Sequence, residues 1–250
     1  MSKTIYLDHA AATPLDKKVL SAMLPYYSEH FHNPSALYQE AKNVQRDIEQ
    51  ARTTVAQILG SKKSEIIFTA GGTEANNLAL IGVAQAFAGA HFVTSAIEHE
   101  SIRAPLEFMT GFGWTYSEVA PKPDGVIDPL QIVKSIKDNT VLVSVMYANN
   151  EIGSIQPIRQ IAKQIADIRS KRLENGNKMP LYLHTDACQA ANYLDLNVHR
   201  LGVDLMTLNG GKIYGPKQSG CLYVAAHTKI EPIIHGGGQE RKLRSGTENV

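Results

Sequence analysis

The sequence predicts an α/β fold: a mostly parallel sheet with helices on both faces. Two observations carry this expectation. Short apolar runs such as "TVLVSVMYA" and "LYLHTDA" alternate with longer segments of helical periodicity, the pattern of strand–helix–strand units. A composition of 43% hydrophobic and 20% charged residues over 250 positions also suffices to bury a full core.

The elements follow in order. "NPSALYQEAKNVQRDIEQARTTVAQILG" opens with Asn33-Pro34-Ser35 and stops at Gly60, a start and a stop signal for a long helix. Leu37, Ala41, Val44, Ile48, Val55 and Ile58 recur at spacings of three, four or seven and form its expected apolar stripe. Next come "EIIFTA" as a strand, "GGTEANNLALIGVAQAF" as a helix, "HFVTSAI" as a strand and "EHESIRAPLEFMT" as a helix. After the turn-rich "APKPDGVIDP" come the strand "TVLVSVMYA", the helix "PIRQIAKQIADIRSKRL", a polar loop and the strand "LYLHTDA". "VDLMTL" and "GCLYVAA" are the last strands. No internal repeat or low-complexity segment interrupts this order.

Bulk properties exclude several classes. A formal net charge of +1 gives no reason to expect nucleic acid or an anionic membrane as partner. Two cysteines are too few for a disulfide framework and point to a reducing compartment. The N-terminal "MSKTIYLDHAAATPLD" has neither an apolar core nor a cleavage site, so no secretory leader is expected. The most apolar stretch, "LALIGVAQAFAGAHFV", is too short to span a bilayer and is broken by Gln85 and His91. These features describe a soluble, cytoplasmic protein.

Parallel sheets bind ligands beyond the carboxyl ends of their strands, so the residues there carry the functional reading. "EIIFTA" runs into Gly71-Gly72-Thr73, where a helix start could offer free N–H groups to an anion or simply make a tight turn. No G-x-G-x-x-G is present. "HFVTSAI" runs into Glu98-His99-Glu100-Ser101, with His99 either a helix-start neighbour or an aromatic proton carrier. "TVLVSVMYA" ends at Asn149 and Asn150, which are turn formers or ligand-binding amides. "LYLHT" ends at Asp186, a helix cap or a carboxylate awaiting a positive partner, with Gln189 three residues on. "VDLMTL" ends at Asn209-Gly210-Gly211-Lys212; Ile213 follows the lysine where a Walker loop needs Ser or Thr. Each feature alone has an ordinary structural explanation. Together they supply an anion cradle, an imidazole, amides, a carboxylate and an amine, and no metal-ligand set. Pyridoxal 5'-phosphate (PLP) accounts for that company: it takes a lysine, an acid for its ring nitrogen and a helix N-terminus for its phosphate.

The stretches "YLDHAAATPLD", "FTAGGTEANNLAL", "EHESI", "ANNEIGSIQPI", "HTDACQA", "KIYGPKQSGCLYV" and "HGGGQERKLRSGTENV" closely resemble, in order, the NifS/IscS-like cysteine desulfurases of the class V aminotransferases. The resemblance implies the large domain of fold-type I PLP enzymes, with one antiparallel strand, "GCLYVAA". It implies Lys212 as the Schiff-base lysine, His99 as the histidine stacked on the ring, and Asp186 as partner of the ring nitrogen. Gln189 and Asn149 match residues around the cofactor's phenolic oxygen, and Gly72 and Thr73 the phosphate turn. Thr247 matches a threonine that reaches the phosphate of a neighbouring subunit, hence a homodimer. The implied reaction takes sulfur from L-cysteine through an enzyme persulfide and leaves L-alanine; the sulfur goes to an iron–sulfur scaffold or a tRNA-thiolation factor. A selenocysteine-lyase-like enzyme and a non-catalytic interaction protein are the alternatives.

Three features depart from the family pattern. Asn209-Gly210-Gly211 stands where Ser-Gly-His is usual, which implies weaker phosphate anchoring, and Lys242 stands where glycine is common. In the family, the small C-terminal domain, the loop with the nucleophilic cysteine and the substrate-binding arginine follow the point matched by Val250. Residues 14–250 are therefore expected to be the large domain alone, with 1–13 on the small-domain side. Cys188 and Cys221 are expected to be packed thiols, with Cys188 as a substitute nucleophile the lesser reading.

Overall fold

The computed structural model describes residues 4–250. The part of the expected N-terminal segment at residues 1–3 lies outside the described residues. Two short helices, α1 (Lys17–Met23) and α2 (Pro25–Ser28), come first. Asp16 caps α1 by accepting from Lys18 N at 2.7 Å.

Helix α3 (Gln39–Leu59) starts later than Asn33-Pro34-Ser35 suggests. The Asn33 side chain accepts the Ser35 N–H at 2.9 Å and holds a turn, an alternative to helix that asparagine readily offers. The stripe on α3 is corrected accordingly: Leu37 is 87% exposed before the helix and Ile58 is 64% exposed on its outer side. The buried face runs through Ala41, Val44, Arg52, Ala56 and Leu59. Arg52 can lie there because Glu240 meets it bidentately, at 2.7 and 2.8 Å. Gly60, at φ 67°, ends the helix in the left-handed conformation that glycine adopts without strain.

The remaining elements are β1 (Ile66–Thr69), α4 (Gly72–Ala86), β2 (His91–Ser95), α5 (Glu100–Thr110), β3 (Thr115–Val119), α6 (Pro129–Ser135), β4 (Thr140–Ser144), α7 (Ile158–Glu174), β5 (Tyr182–Asp186), α8 (Val198–Leu201), β6 (Leu205–Asn209) and β7 (Gly220–Val224). They build one seven-stranded sheet in the order β1-β7-β6-β5-β4-β2-β3. Only β7 runs antiparallel, pairing with β1 on one side and β6 on the other. "GCLYVAA" is thus the expected antiparallel strand. The edge strand β3 is absent from the apolar runs because its side chains are mostly exposed or half-buried.

The sheet has a core on each face, because successive strand residues point to opposite sides. Ile66, Val143, Leu183 and Met206 pack with α3, α6, α7 and α8. Ile67, Leu142, Tyr182 and Leu205 pack with α4 and α5. Helix α4 is buried on most of its surface; beyond its start its polar residues are Asn76, which is 0% exposed, Asn77 and the exposed Gln85. Among the described residues no helix is long and apolar enough to cross a membrane.

Because β1, β2, β4, β5 and β6 are mutually parallel, their carboxyl ends share one edge of the sheet. All five polar strand ends singled out above therefore lie along that edge.

Candidate active site

A cavity of about 370 Å³ opens at this edge. Gly72, Thr73, His99, Asp186, Gln189, Asn209 and Lys212 all line it.

The turn from β1 into α4 depends on its glycines. Gly71 sits at φ 130°, where a side chain would be strained. Gly72 is pressed against the opposite wall: a Cβ there would lie 2.8 Å from Cys188 Sγ and 3.4 Å from the Asn209 side chain. The first turn of α4 thus faces the cavity with N–H groups that have no helical acceptor, and with the positive end of the helix dipole. Glu74 fixes this turn from behind, accepting Ala70 N at 2.9 Å and pairing with Arg244 at 2.9 Å.

Asp186, 6% exposed, ends β5. Its Oδ1 accepts the Cys188 N–H at 2.9 Å and its Oδ2 accepts Asn76 Nδ2 at 2.7 Å. Cys188 adjoins it. Burial first, then the Asp186 charge, pushes this thiol well above the ordinary range, so it stays protonated and is a poor nucleophile. Burial likewise pushes Cys221, inside β7, up to about 12.

His99 is exposed at the cavity mouth and caps α5. Its Nδ1 accepts the Ser101 N–H at 3.1 Å and contacts Ser101 Oγ at 2.8 Å. A backbone amide can only donate, so Nδ1 is unprotonated and the neutral ring carries its proton on Nε2. Beneath it, Glu98 is 6% exposed; Oε1 accepts Met146 N at 2.8 Å and the Ser95 hydroxyl, and Oε2 has no hydrogen-bond partner among the described residues. Burial, with Asp186 adding to it, raises the Glu98 pKa to about 8.

Lys212 lies in a short turn after β6 and is half-buried. Its Nζ donates to Ala10 O at 2.6 Å and to Ala11 O at 2.8 Å, and Gln189 Nε2 donates to the same Ala10 O at 2.8 Å. The N-terminal segment is tied to this turn through Thr13: Oγ1 donates to Gly211 O at 3.1 Å and accepts Tyr214 N at 2.8 Å. Asn209 Oδ1 accepts Gly211 N at 3.0 Å.

One residue expected at the cofactor is not on the cavity wall. Asn149 is committed elsewhere: Nδ2 donates to Ile97 O at 2.9 Å, and Oδ1 accepts Glu151 N at 2.8 Å and Ile152 N at 3.0 Å. It ties the loops after β2 and β4 together, and Asn150 lines the cavity instead. Thr247, expected to reach a neighbouring subunit, is exposed and does not line this cavity. Conversely, Asn76, Ser101, Cys188 and the Ala10–Ala11 backbone line it without having been singled out for it. Asn76 had a signal, as a buried-face amide in the apolar sequence of α4. Ala10 and Ala11 had none beyond belonging to "YLDHAAATPLD". Among the described residues no group of His, Cys, Asp and Glu is arranged to hold a metal ion.

Known proteins share this fold and much of this sequence. The aminotransferase class-V family model matches residues 5–250. The cysteine desulfurase IscS of Dictyoglomus turgidum is 43% identical over 252 residues, covering 100% of this chain and 61% of the relative. The cysteine desulfurase IscS of Methanosarcina thermophila is 41% identical over 251 residues, covering 100% and 59%. Among solved structures, SspA in complex with cysteine superposes with a TM-score of 0.89 at 40% identity, covering 98% of this chain and 69% of that one. A NifS-like protein superposes with a TM-score of 0.91 at 34% identity, covering 98% and 65%. The chain spans 59–61% of the length of these two curated relatives.

Proposed function

We propose that this chain, which belongs to the aminotransferase class-V family, is the PLP-holding part of a cysteine desulfurase, with residues 14–250 as its large domain. The observation that carries the reading is the convergence of an amine, a buried carboxylate, an imidazole and a helix N-terminus on one cavity. The residues fit the cofactor. Gly72 lets the first turn of α4 approach Cys188 and Asn209 across the cavity, where a Cβ would meet the Cys188 sulfur at 2.8 Å, and Asn76 Oδ1 is a buried acceptor on the wall with no partner among the described residues.

In this reading Lys212 attaches the cofactor through Nζ, and Asp186 holds its ring nitrogen. The α4 N-terminus, the Thr73 hydroxyl and the Asn209 amide hold its phosphate. When bound, PLP supplies an electron sink for the substrate carbon next to the amine. The chain's own residues do the rest. Asp186 presents its carboxyl group from a nearly dry wall, where electrostatic interactions are stronger than in water. His99 holds a proton on Nε2 at the cavity mouth. The Ala10–Ala11 carbonyls orient the lysine amine. The sulfur-accepting thiol is assigned to neither cysteine of this chain, because both are buried and held protonated. L-Cysteine as substrate is supported by the cysteine-bound relative at 40% identity. A homodimer fits the exposed apolar side chains of Ile5, Leu7, Leu24, Tyr27 and Phe31, and an iron–sulfur scaffold or tRNA-thiolation factor in the cytoplasm completes the reading as sulfur acceptor.

Titration of the purified protein with PLP tests it. A visible absorption band that Lys212→Ala abolishes is the expected result; a spectrum equal to the sum of protein and free PLP overturns the reading.

A further inference from the structure

Two buried hydrogen bonds and one partly buried contact join Asp186 to His99 through Asn76 and Ser101, side chains to which the cofactor reading gives no catalytic role. Asn76 Nδ2 donates to Asp186 Oδ2 at 2.7 Å and to Ser101 Oγ at 2.8 Å, and Ser101 Oγ lies 2.8 Å from His99 Nδ1. Asn76 is 0% exposed and Ser101 7%. The path links the end of β5, the first turns of α4 and the start of α5.

Its direction is fixed by chemistry. A carboxylate oxygen facing the Asn76 amide selects the NH₂ end, because the reversed amide would set oxygen against oxygen. Both Nδ2 hydrogens are then spent, one on Asp186 and one on Ser101 Oγ. The serine hydrogen is left for His99 Nδ1, which must accept because the Ser101 backbone N–H also donates to it, at 3.1 Å. The His99 proton therefore stays on Nε2. Asn76 Oδ1 remains buried and unpartnered among the described residues, an arrangement that costs stability and so is poorly explained by stability alone.

We propose that Asn76 and Ser101 are positioning residues that transmit the orientation of the Asp186 carboxylate to His99 and reinforce the tautomer carrying its proton on Nε2, which the Ser101 backbone N–H selects. The role rests on the PLP reading. The carboxylate that holds the ring nitrogen and the imidazole at the cavity mouth are set as one unit rather than two, and second-layer partners of this kind orient the groups that touch a ligand.

The test uses the full chain labelled with ¹⁵N-histidine. The His99 ring nitrogens are assigned among the nine histidines by their loss in His99→Gln, and are read by long-range proton–nitrogen NMR before and after PLP is added. Wild type is expected to show one neutral tautomer with Nε2 protonated. Ser101→Ala, which keeps the backbone donor but loses the hydroxyl, is expected to move the Nδ1 signal, and Ser101→Thr to restore it. Asn76→Ala, which touches His99 nowhere, is expected to move the same signal the same way and to weaken PLP binding about tenfold. His99 signals in Asn76→Ala that match wild type overturn the proposal. If Asn76→Ala does not fold, unchanged signals in Ser101→Ala overturn it equally. A wild type that takes up no PLP refutes the cofactor reading, and the cofactor-free spectra still decide the coupling.

Discussion

Replacing Glu98 with glutamine is expected to flatten the pH dependence of stability between about pH 4.5 and 8. Folding raises this carboxyl from its ordinary 4.5 to about 8, because it is buried beside Asp186. Across that window the unfolded chain has lost the proton and the folded chain still holds it. Unfolding therefore releases a proton, and raising the pH favours unfolding by about 1.4 kcal/mol per pH unit, about 5 kcal/mol over the window. Such a loss is comparable to the whole stability of many domains, roughly 5–15 kcal/mol. Glutamine keeps an acceptor for Met146 N and Ser95 Oγ but cannot ionise. Its amide nitrogen takes the place of the unpartnered Oε2, an offset that is the same at every pH. His91 and His184 act in the opposite sense: burial lowers both to about 4, so unfolding takes up protons between about pH 4 and 6.5 and stability rises with pH there. They are identical in both proteins and cancel in the difference. Urea unfolding at pH 5, 6, 7 and 8 should show the Glu98→Gln advantage growing by about 1.4 kcal/mol per unit. Parallel profiles would refute the assignment of a neutral carboxyl beneath the site.

Three further outcomes follow from the phosphate turn and its surroundings. Gly72→Ala sets a Cβ 2.8 Å from Cys188 Sγ and should weaken PLP binding about tenfold or more; Gly72→Ala/Cys188→Ala should recover most of it, and a double variant as weak as the single would show that the sulfur is not the obstacle. Gly211→His should tighten PLP binding about tenfold through an added charge-assisted donor, because a Cβ at 211 meets nothing nearer than Asn209 Oδ1 at 3.4 Å; an unchanged dissociation constant sinks that idea. Lys242 holds φ 63°, a left-handed conformation that costs a side chain about 1 kcal/mol, so Lys242→Gly should raise the urea midpoint, and a lowered midpoint would contradict it.

What the sequence revealed and what it hid divide along a physical line. Strands β2, β4, β5 and β6 are buried along nearly all their length and each carries a short apolar run, so they announce themselves. The exposed edge strand β3 carries no such constraint and passes unmarked. The short helices α1, α2, α6 and α8 give too few turns for a period to emerge. At the site, residues that follow a strand directly were legible, since parallel pairing sends every strand end to the same edge. Partners supplied from afar were not. Asn76 reaches Asp186 across 110 positions, and Lys212 reaches Ala10 across 202. No local pattern encodes such contacts, because topology rather than propensity brings them together.

Asn149 sharpens the point. Its place in the loop after β4, which ends at Ser144, matched the pattern of the other four strand ends, yet both ends of its amide are spent on backbone groups of neighbouring loops. Position at the edge alone therefore does not put a side chain on the cavity wall. What distinguishes Lys212, Asp186 and His99 is that the fold orients each with partners that fix it without covering the cavity: carbonyls for the amine, one backbone N–H and one amide for the carboxylate, a backbone N–H for the imidazole. Asn149 makes the same kind of contacts but is turned away by them. The chemistry of this edge thus depends less on which polar residues end the strands than on which of their hydrogen-bonding atoms the surrounding backbone leaves unspent.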